Sequence, residues 1–234
     1  MSLVRITRES DIPLVGCLYF GVIDRGTNLL QIRPSCNCNL NCPFCSVDAG
    51  PKSRTRVNNY EVELDYLVEA VEEIAHFKGP GVECHIDSPG EPMLYPQITE
   101  LVQELKAIEE VAVVSMQSNG TILDELKIKR LERAGLDRIN LSIHALSPKL
   151  ARYLSGVPWF DIEKIKEAAR NIAKSRIDLL VAPVYIPGVN DEEVCKVIEF
   201  ASQIGAGKRW PPLGIQKFEH YRLGRTPGKV KAQN

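Results

Sequence analysis

The 234-residue sequence holds no apolar run near the ~18 residues of a membrane span, no low-complexity segment and no repeat of short fixed period. Those absences exclude a helical membrane protein and a solenoid. The beginning, MSLVRITRES, lacks a signal-peptide core, which predicts a chain that stays in the cytoplasm. Net charge is also scarce: 29 Lys and Arg stand against 30 Asp and Glu, giving −1, so the chain is not a polycation binding nucleic acid by bulk electrostatics. The seven cysteines are an odd number in a long chain, which argues against a disulfide framework. Three of them fall within the short stretch 38–45, and metal ligation is the better reading.

The charge is unevenly placed. Lys208, Arg209, Lys217, Arg222, Arg225, Lys229 and Lys231 face a single acid, Glu219, in the last stretch, and Lys52, Arg54 and Arg56 form a second basic run. A solvated surface explains both; so does an anionic substrate, RNA among the possibilities.

Strand-like and helix-like segments alternate along most of the chain. Apolar runs at 14–23 and 28–33 flank the turn Asp24-Arg25-Gly26-Thr27 and predict an N-terminal β-hairpin. Helical stripes follow over 61–77, 96–108 (with Pro96 at the first helical position), 121–133, 161–172 and 190–204. Strands are predicted at 82–87, 111–118, 138–143, 177–185 and 213–218. Six β–α units in series, the last without its helix, imply a parallel sheet with helices outside it. A full eight-unit barrel needs ~250 residues. The fold expected is therefore α/β, an incomplete (β/α)6 TIM-type barrel preceded by a hairpin, with function at the carboxyl ends of the strands. The expected organisation is an extension over 1–27, the barrel over 28–222, and a basic tail over 223–234 that is flexible or stops before a further domain.

Cys38-Asn39-Leu40-Asn41-Cys42-Pro43-Phe44-Cys45 follows a predicted strand, in the long loop before the first helix. Cysteine thiolates are the usual ligands of iron–sulfur clusters, which normally take four. Three would leave one iron open, as catalytic zinc keeps an open position. The alternatives are a structural zinc site completed by Cys36 or His85, in a binding module, and an electron-carrying cluster with no catalysis.

With Phe44 before its last cysteine, this segment resembles the CxxxCxxC signature of the radical S-adenosylmethionine (radical SAM) superfamily. Other segments agree in order and spacing over about 28–219. Ser88-Pro89-Gly90-Glu91-Pro92 is similar to the family's glycine–glutamate–proline segment, with Pro89 in place of its first glycine. Ser118 and Asn119 end the next strand, Ser142 and His144 the one after, and the turn containing Ile186, Pro187 and Val189 is similar to the adenine-binding turn. The hairpin, the loop through Arg56 and the Phe218–Arg222 stretch resemble an uncharacterised archaeal subgroup.

The resemblance implies a [4Fe-4S] cluster on Cys38, Cys42 and Cys45, with S-adenosylmethionine on the open iron. It implies Phe44, Gly90, Glu91, Pro92, Ser118, Asn119, Ser142, His144, Ile186, Pro187 and Val189 as cofactor contacts. It further implies reductive formation of a 5′-deoxyadenosyl radical that abstracts hydrogen from the substrate, and a low-potential ferredoxin- or flavodoxin-like donor. Substrate-site candidates are Lys52–Arg56, the 145–160 loop with Tyr153, Trp159 and Phe160, and Lys217–Arg222. Cys84 and His85 are the catalytic candidates, with a buried strand cysteine the plainer reading of Cys84. Cys17, Cys36 and Cys195 read as structural, and Cys195 as core.

Overall fold

A computed structural model describes residues 2–228. β1 (Ser2–Ile6) leads into the hairpin of β2 (Gly21–Asp24) and β3 (Leu29–Arg33). The first arm of that hairpin is shorter than the apolar run suggests. Residues 14–16 fold back on Val22, through Val22 N to Leu14 O (2.7 Å) and Gly16 N to Val22 O (2.9 Å). Then come β4 (Asn58–Val62), α1 (Leu64–Lys78), β5 (Val82–Ile86), α2 (Ile98–Ala107), β6 (Val111–Ser118), α3 (Glu125–Ala134) and β7 (Arg138–Leu141). The chain continues through α4 (Pro148–Ser155), α5 (Ile162–Lys174), β8 (Asp178–Val181), β9 (Val184–Tyr185), α6 (Asp191–Gln203) and β10 (Gln216–Lys217).

The main sheet has the order β2-β3-β5-β6-β7-β8, parallel from β3 onward with β2 antiparallel at its edge. β9 and β10 pair in parallel beyond a bridge between Val181 and Leu213. This is the partial TIM-type barrel expected of the alternating pattern. The single strand expected over 177–185 is broken between β8 and β9, where Pro183 has no N–H for the ladder.

Three other local differences have simple causes. β1 and β4 form a parallel pair outside the main sheet, and only Ile6 of β1 is buried, so the segment carries no alternation to read. α4 lies inside the stretch read as a loop; Ser147 and Pro148 start it and Gly156 stops it, but its buried residues are only Ala151, Leu154 and Ser155. Pro96 is not the start of α2, which opens after Gln97; Pro92 instead begins a 3-10 turn, Pro92–Leu94.

Strand alternation sorts the barrel's two surfaces. Leu30, Ile32, Cys84, Ile86, Val114, Met116, Ile139 and Leu141 are fully buried in the main core. Leu67, Val71, Leu101, Leu105, Ile165 and Ile172 of the helices join that core, and burying each such side chain contributes about 1.5–3 kcal/mol. The alternate positions are polar. His85 lies beside Ser115, and Ser115 beside Arg138, in register. The His85 Nδ1–Ser115 Oγ distance is 2.7 Å; Ser115 Oγ donates to Glu83 Oε1 (2.7 Å) and so does Arg138 Nη2 (2.6 Å).

Candidate functional site

The carboxyl ends of β5, β6 and β7, together with β9 and β10, surround a cavity of about 290 Å³, at the lower edge of the ~300–1,000 Å³ of small-molecule sites. The 38–49 loop closes one side. Cys38, Cys42, Cys45 and Phe44 line the cavity from that loop, facing Gly90, Glu91, Ser118, Asn119, Ser142 and His144. Ten of the sixteen site residues expected from the sequence are thus brought together here.

The cysteine loop is short of secondary structure of its own and is fixed from outside. Asn41 N donates to Ser155 O (2.9 Å), and Glu91 N to Asn37 O (2.7 Å). Gly156 is required at its position: its φ is +69°, and a Cβ there would lie 1.9 Å from Asn41 O. Asn39 donates to Thr121 Oγ1 (2.8 Å) and accepts from Asn119 Nδ2 (2.9 Å). Arg56, buried without a carboxylate partner, donates to Cys36 O and to Pro89 O (2.6 Å each), tying the cysteine loop to the Gly90 segment.

Burial pushes the Cys38 thiol up to about 12 and raises the Cys42 thiol as well. Such thiols give up their protons to a metal centre rather than to water, so loading the site releases protons. Among the described residues, no group of three His, Cys, Asp or Glu is arranged to hold a single metal ion. Cys36, a possible fourth ligand, is buried and does not line the cavity; its Sγ accepts from Tyr60 N (3.0 Å).

The carboxylate of Glu91 is 1% exposed and points into the strand ends. Oε1 accepts from Met93 N (3.1 Å) and Ser118 Oγ (2.8 Å), and Oε2 from Asn119 N (2.6 Å). Burial raises it to about 7 against those donors. The Asn119 amide is engaged as well, its Oδ1 accepting from Thr121 N and Oγ1. Both side chains, expected as cofactor contacts, hold the cavity wall together.

His144 differs. Its Nδ1 accepts from Val184 N (3.0 Å), and burial lowers its pKa to about 4. The ring is therefore neutral, with its proton on Nε2 as a donor. Phe44 meets it edge to face, with centroids 4.8 Å apart at 79°. Ser142 Oγ accepts from Gln117 Nε2 (2.8 Å).

The other expected residues lie elsewhere. Ile186 is buried with Phe44, Ala145 and Leu154, with Val189 packed against them, so this part of the turn backs Phe44 and does not line the cavity. The cause is Asn190, whose Oδ1 accepts from Ile186 N (2.7 Å) while its Nδ2 donates to His144 O and Val184 O (2.9 Å each). Pro187 and Pro92 are outside the lining too. Cys84 is wholly in the core, its thiol pushed up to about 12 by burial, and His85 sits in the polar network inside the sheet; neither reaches the cavity. Cys195 is exposed, not core. Of the pair in the 145–160 stretch, Phe160 is buried against the cavity and Trp159 is 56% exposed.

The structure adds Gln117 and Ser88. Ser115 and Gln117 are polar at alternate positions of an apolar strand, a signal that could have marked Gln117. Ser88 lines the cavity, and its buried Oγ has no hydrogen-bond partner among the described residues. An unpaired buried hydroxyl at that place suits a ligand with a polar group. The residues 223–228, expected to be a tail, pack on the cysteine loop: Arg225 N donates to Cys45 O (2.8 Å), and its guanidinium to Cys42 O, Ala49 O and Asp48. Residues 229–234, including Lys229 and Lys231, lie outside the described residues.

A partial parallel barrel whose strand ends and three thiols share one cavity defines a class: parallel-barrel proteins with their site at the carboxyl ends of the strands. The chain belongs to the Radical SAM superfamily, whose sequence profile matches residues 32–201. An uncharacterised protein of Methanocaldococcus jannaschii is 47% identical over 94% of this chain and 54% of its own length. GTP 3′,8-cyclase of Chlorobaculum tepidum is 28% identical over 94% of this chain and 62% of its own. The chain thus spans little more than half of the curated relatives it matches. In fold it is similar to SuiB of Streptococcus suis, solved with S-adenosylmethionine bound: TM-score 0.68 at 17% identity, over 88% of this chain and 43% of that one. The family is one of enzymes whose cofactors are a [4Fe-4S] cluster and S-adenosylmethionine. The three thiols and the adjoining polar cavity fit both groups. No helix among the described residues is long and apolar enough to cross a membrane.

Proposed function

We propose that this chain is the catalytic barrel of a radical SAM enzyme, with the cluster on Cys38, Cys42 and Cys45 and S-adenosylmethionine in the cavity beside them. The observation carrying this is the shared cavity: three thiols on one wall, polar strand ends on the other. When bound, cluster and cofactor supply one-electron cleavage of the sulfonium, giving methionine and a 5′-deoxyadenosyl radical that takes hydrogen from the substrate. The chain's own residues orient and shield. The fourth cluster position is left to the amino and carboxylate groups of the cofactor. The backbone at Gly90 and the orphan hydroxyl of Ser88 meet the methionine end, and His144 Nε2–H donates to a ribose or carboxylate oxygen. Phe44, backed by Ile186, keeps water off the cluster.

Lys217 lines the same cavity from β10, exposed and without an acidic partner among the described residues, and although Glu219 lines it too, that unpaired cation favours an anionic substrate. The relatives named GTP 3′,8-cyclase point the same way. A low-potential donor and the reducing cytoplasm complete the setting. Anaerobic reconstitution tests the reading: about four irons per chain and 5′-deoxyadenosine on reduction with dithionite are expected, both lost in Cys42→Ala. Iron binding with no cleavage by the wild type, or zinc in its place, overturns it.

A further inference from the structure

The 38–49 loop is a partition between two cavities. Cys38, Cys42, Phe44 and Cys45 face the cofactor cavity, whereas Asn41, Pro43 and Asp48 face a second cavity of about 540 Å³ behind them. The far rim of this second cavity is basic. Lys52, Arg54 and Arg222 line it, all exposed, and among the described residues none of the three side chains has an acidic partner. Its one carboxylate, Asp48, is already neutralised by Arg225. Leu223, 55% exposed, sits among these cations. The basic run of the loop and the basic end of the chain, read from sequence as possible substrate contacts, are therefore largely gathered on the side away from the cofactor cavity.

The same loop thus lines both cavities, with its thiols in the first and Asn41, Pro43 and Asp48 in the second. Arg225 links the two directly, its main chain to Cys45 O and its guanidinium to Cys42 O. No aromatic side chain lines the cavity, so it offers no platform for stacking bases, which single-stranded RNA requires. Uncompensated cations around one exposed leucine instead match a small, transient protein interface. Electron-transfer encounters are of that kind, burying under ~1,200 Å².

We propose that this basic face docks an acidic, low-potential one-electron carrier protein of the ferredoxin or flavodoxin type, which reduces the cluster through the loop. The proposal rests on the functional reading above. In the step the reduced carrier loses one electron and the oxidised cluster, [4Fe-4S]2+, gains it to become [4Fe-4S]+; no bond or proton changes hands. Charge complementarity selects the partner and sets its rate of arrival.

The test is a Lys52→Glu/Arg54→Glu double variant of the reconstituted protein, with melting temperature as the folding control and Arg225 left intact. Binding of an acidic flavodoxin is measured directly, alongside cleavage of S-adenosylmethionine driven by reduced flavodoxin or by dithionite. We expect flavodoxin affinity and flavodoxin-driven cleavage to fall about tenfold or more, with dithionite-driven cleavage unchanged. Wild-type binding should weaken between ~0.01 M and ~0.1 M salt, as the screening length drops from about 30 Å to about 10 Å, and the variant's should not. Unchanged flavodoxin binding overturns the proposal. So does an equal loss with dithionite, which would make these residues supports of the loop. Loss of binding to a short RNA with flavodoxin turnover intact would assign the face to RNA instead. A wild type that binds flavodoxin but does not cleave the cofactor with dithionite would defeat the functional reading and leave the docking face standing.

Discussion

The Arg225 guanidinium reaches back across 177 residues of chain to the Asp48 carboxylate, and the pair closes the cysteine loop from behind. Burial alone would raise the Asp48 carboxyl, but the N–H groups of Arg54 and Thr55, the Thr55 hydroxyl and Arg225 outweigh it and hold it well below the usual carboxylate range. A folded pKa below the unfolded ~3.9 means stability that is complete above that value and lost as pH falls toward the folded one. Arg225→Ala should cost about 3 kcal/mol near neutrality, the low end for a broken, largely buried pair. Asp48→Asn should also be less stable than wild type, by a margin that narrows below pH ~4. Denaturant titrations across that range check both; a constant margin would remove Asp48 as the titrating group.

Gly156→Ala should unfold the clamp on the loop. Gly205 is the control, with a φ of +74° and nothing within 4 Å of where a Cβ would stand, against +69° and a 1.9 Å clash for Gly156. Both variants bear the ~1–3 kcal/mol of a left-handed alanine, and only Gly156→Ala bears the collision as well. Melting curves and iron uptake should show Gly205→Ala near the lower cost and Gly156→Ala far more destabilised, with little iron retained.

Ser88→Ala separates stability from binding. Its hydroxyl has no partner among the described residues, so its loss should leave stability within about 0.5 kcal/mol of wild type. Affinity for S-adenosylmethionine should fall severalfold, by about the 0.5–1.5 kcal/mol of one hydrogen bond. Calorimetry showing full affinity would exclude Ser88 from the cofactor site.

His144, with its pKa lowered to about 4 by burial, is neutral near pH ~7. Cofactor affinity should therefore show no step attributable to this ring between pH ~6 and ~8, where an ordinary histidine titrates. His144→Ala should weaken binding about tenfold, removing a donor and leaving Val184 N unpaired. Titration calorimetry at several pH values reads both; a step near pH ~6.5 that vanishes in the variant would contradict the assignment.

The barrel was legible because its helices carry one-sided apolar stripes, such as Ile162, Ile165, Ala169 and Ile172 on α5, and because strands of four to eight residues lie between them. Ser118, Ser142 and His144 were singled out by the family resemblance, and they do line the cavity at the strand ends. What escaped is what has no local pattern. The Arg225–Asp48 pair joins two segments far apart in sequence, and the β1–β4 pair buries almost nothing of β1. The side-chain engagement of Glu91 and Asn119 was equally invisible, because a motif names a residue and not the direction of its carboxylate or amide. Ile186 and Val189 were placed at the right turn, but Asn190 draws that turn inward behind Phe44.

The long reach from Asp48 to Arg225 also sets an order in time. The ribosome makes about 5–20 residues per second, so roughly 10–35 s separate the appearance of the cysteine loop from that of the arginine that locks it. During that interval the thiols are present but their loop is unclosed. A chain arrested short of Arg225 would keep the ties of the loop to Ser155 and Arg56 and lack only the one from behind. The last described turn of the chain thus supplies, late in synthesis, the contacts that hold a loop made near its start.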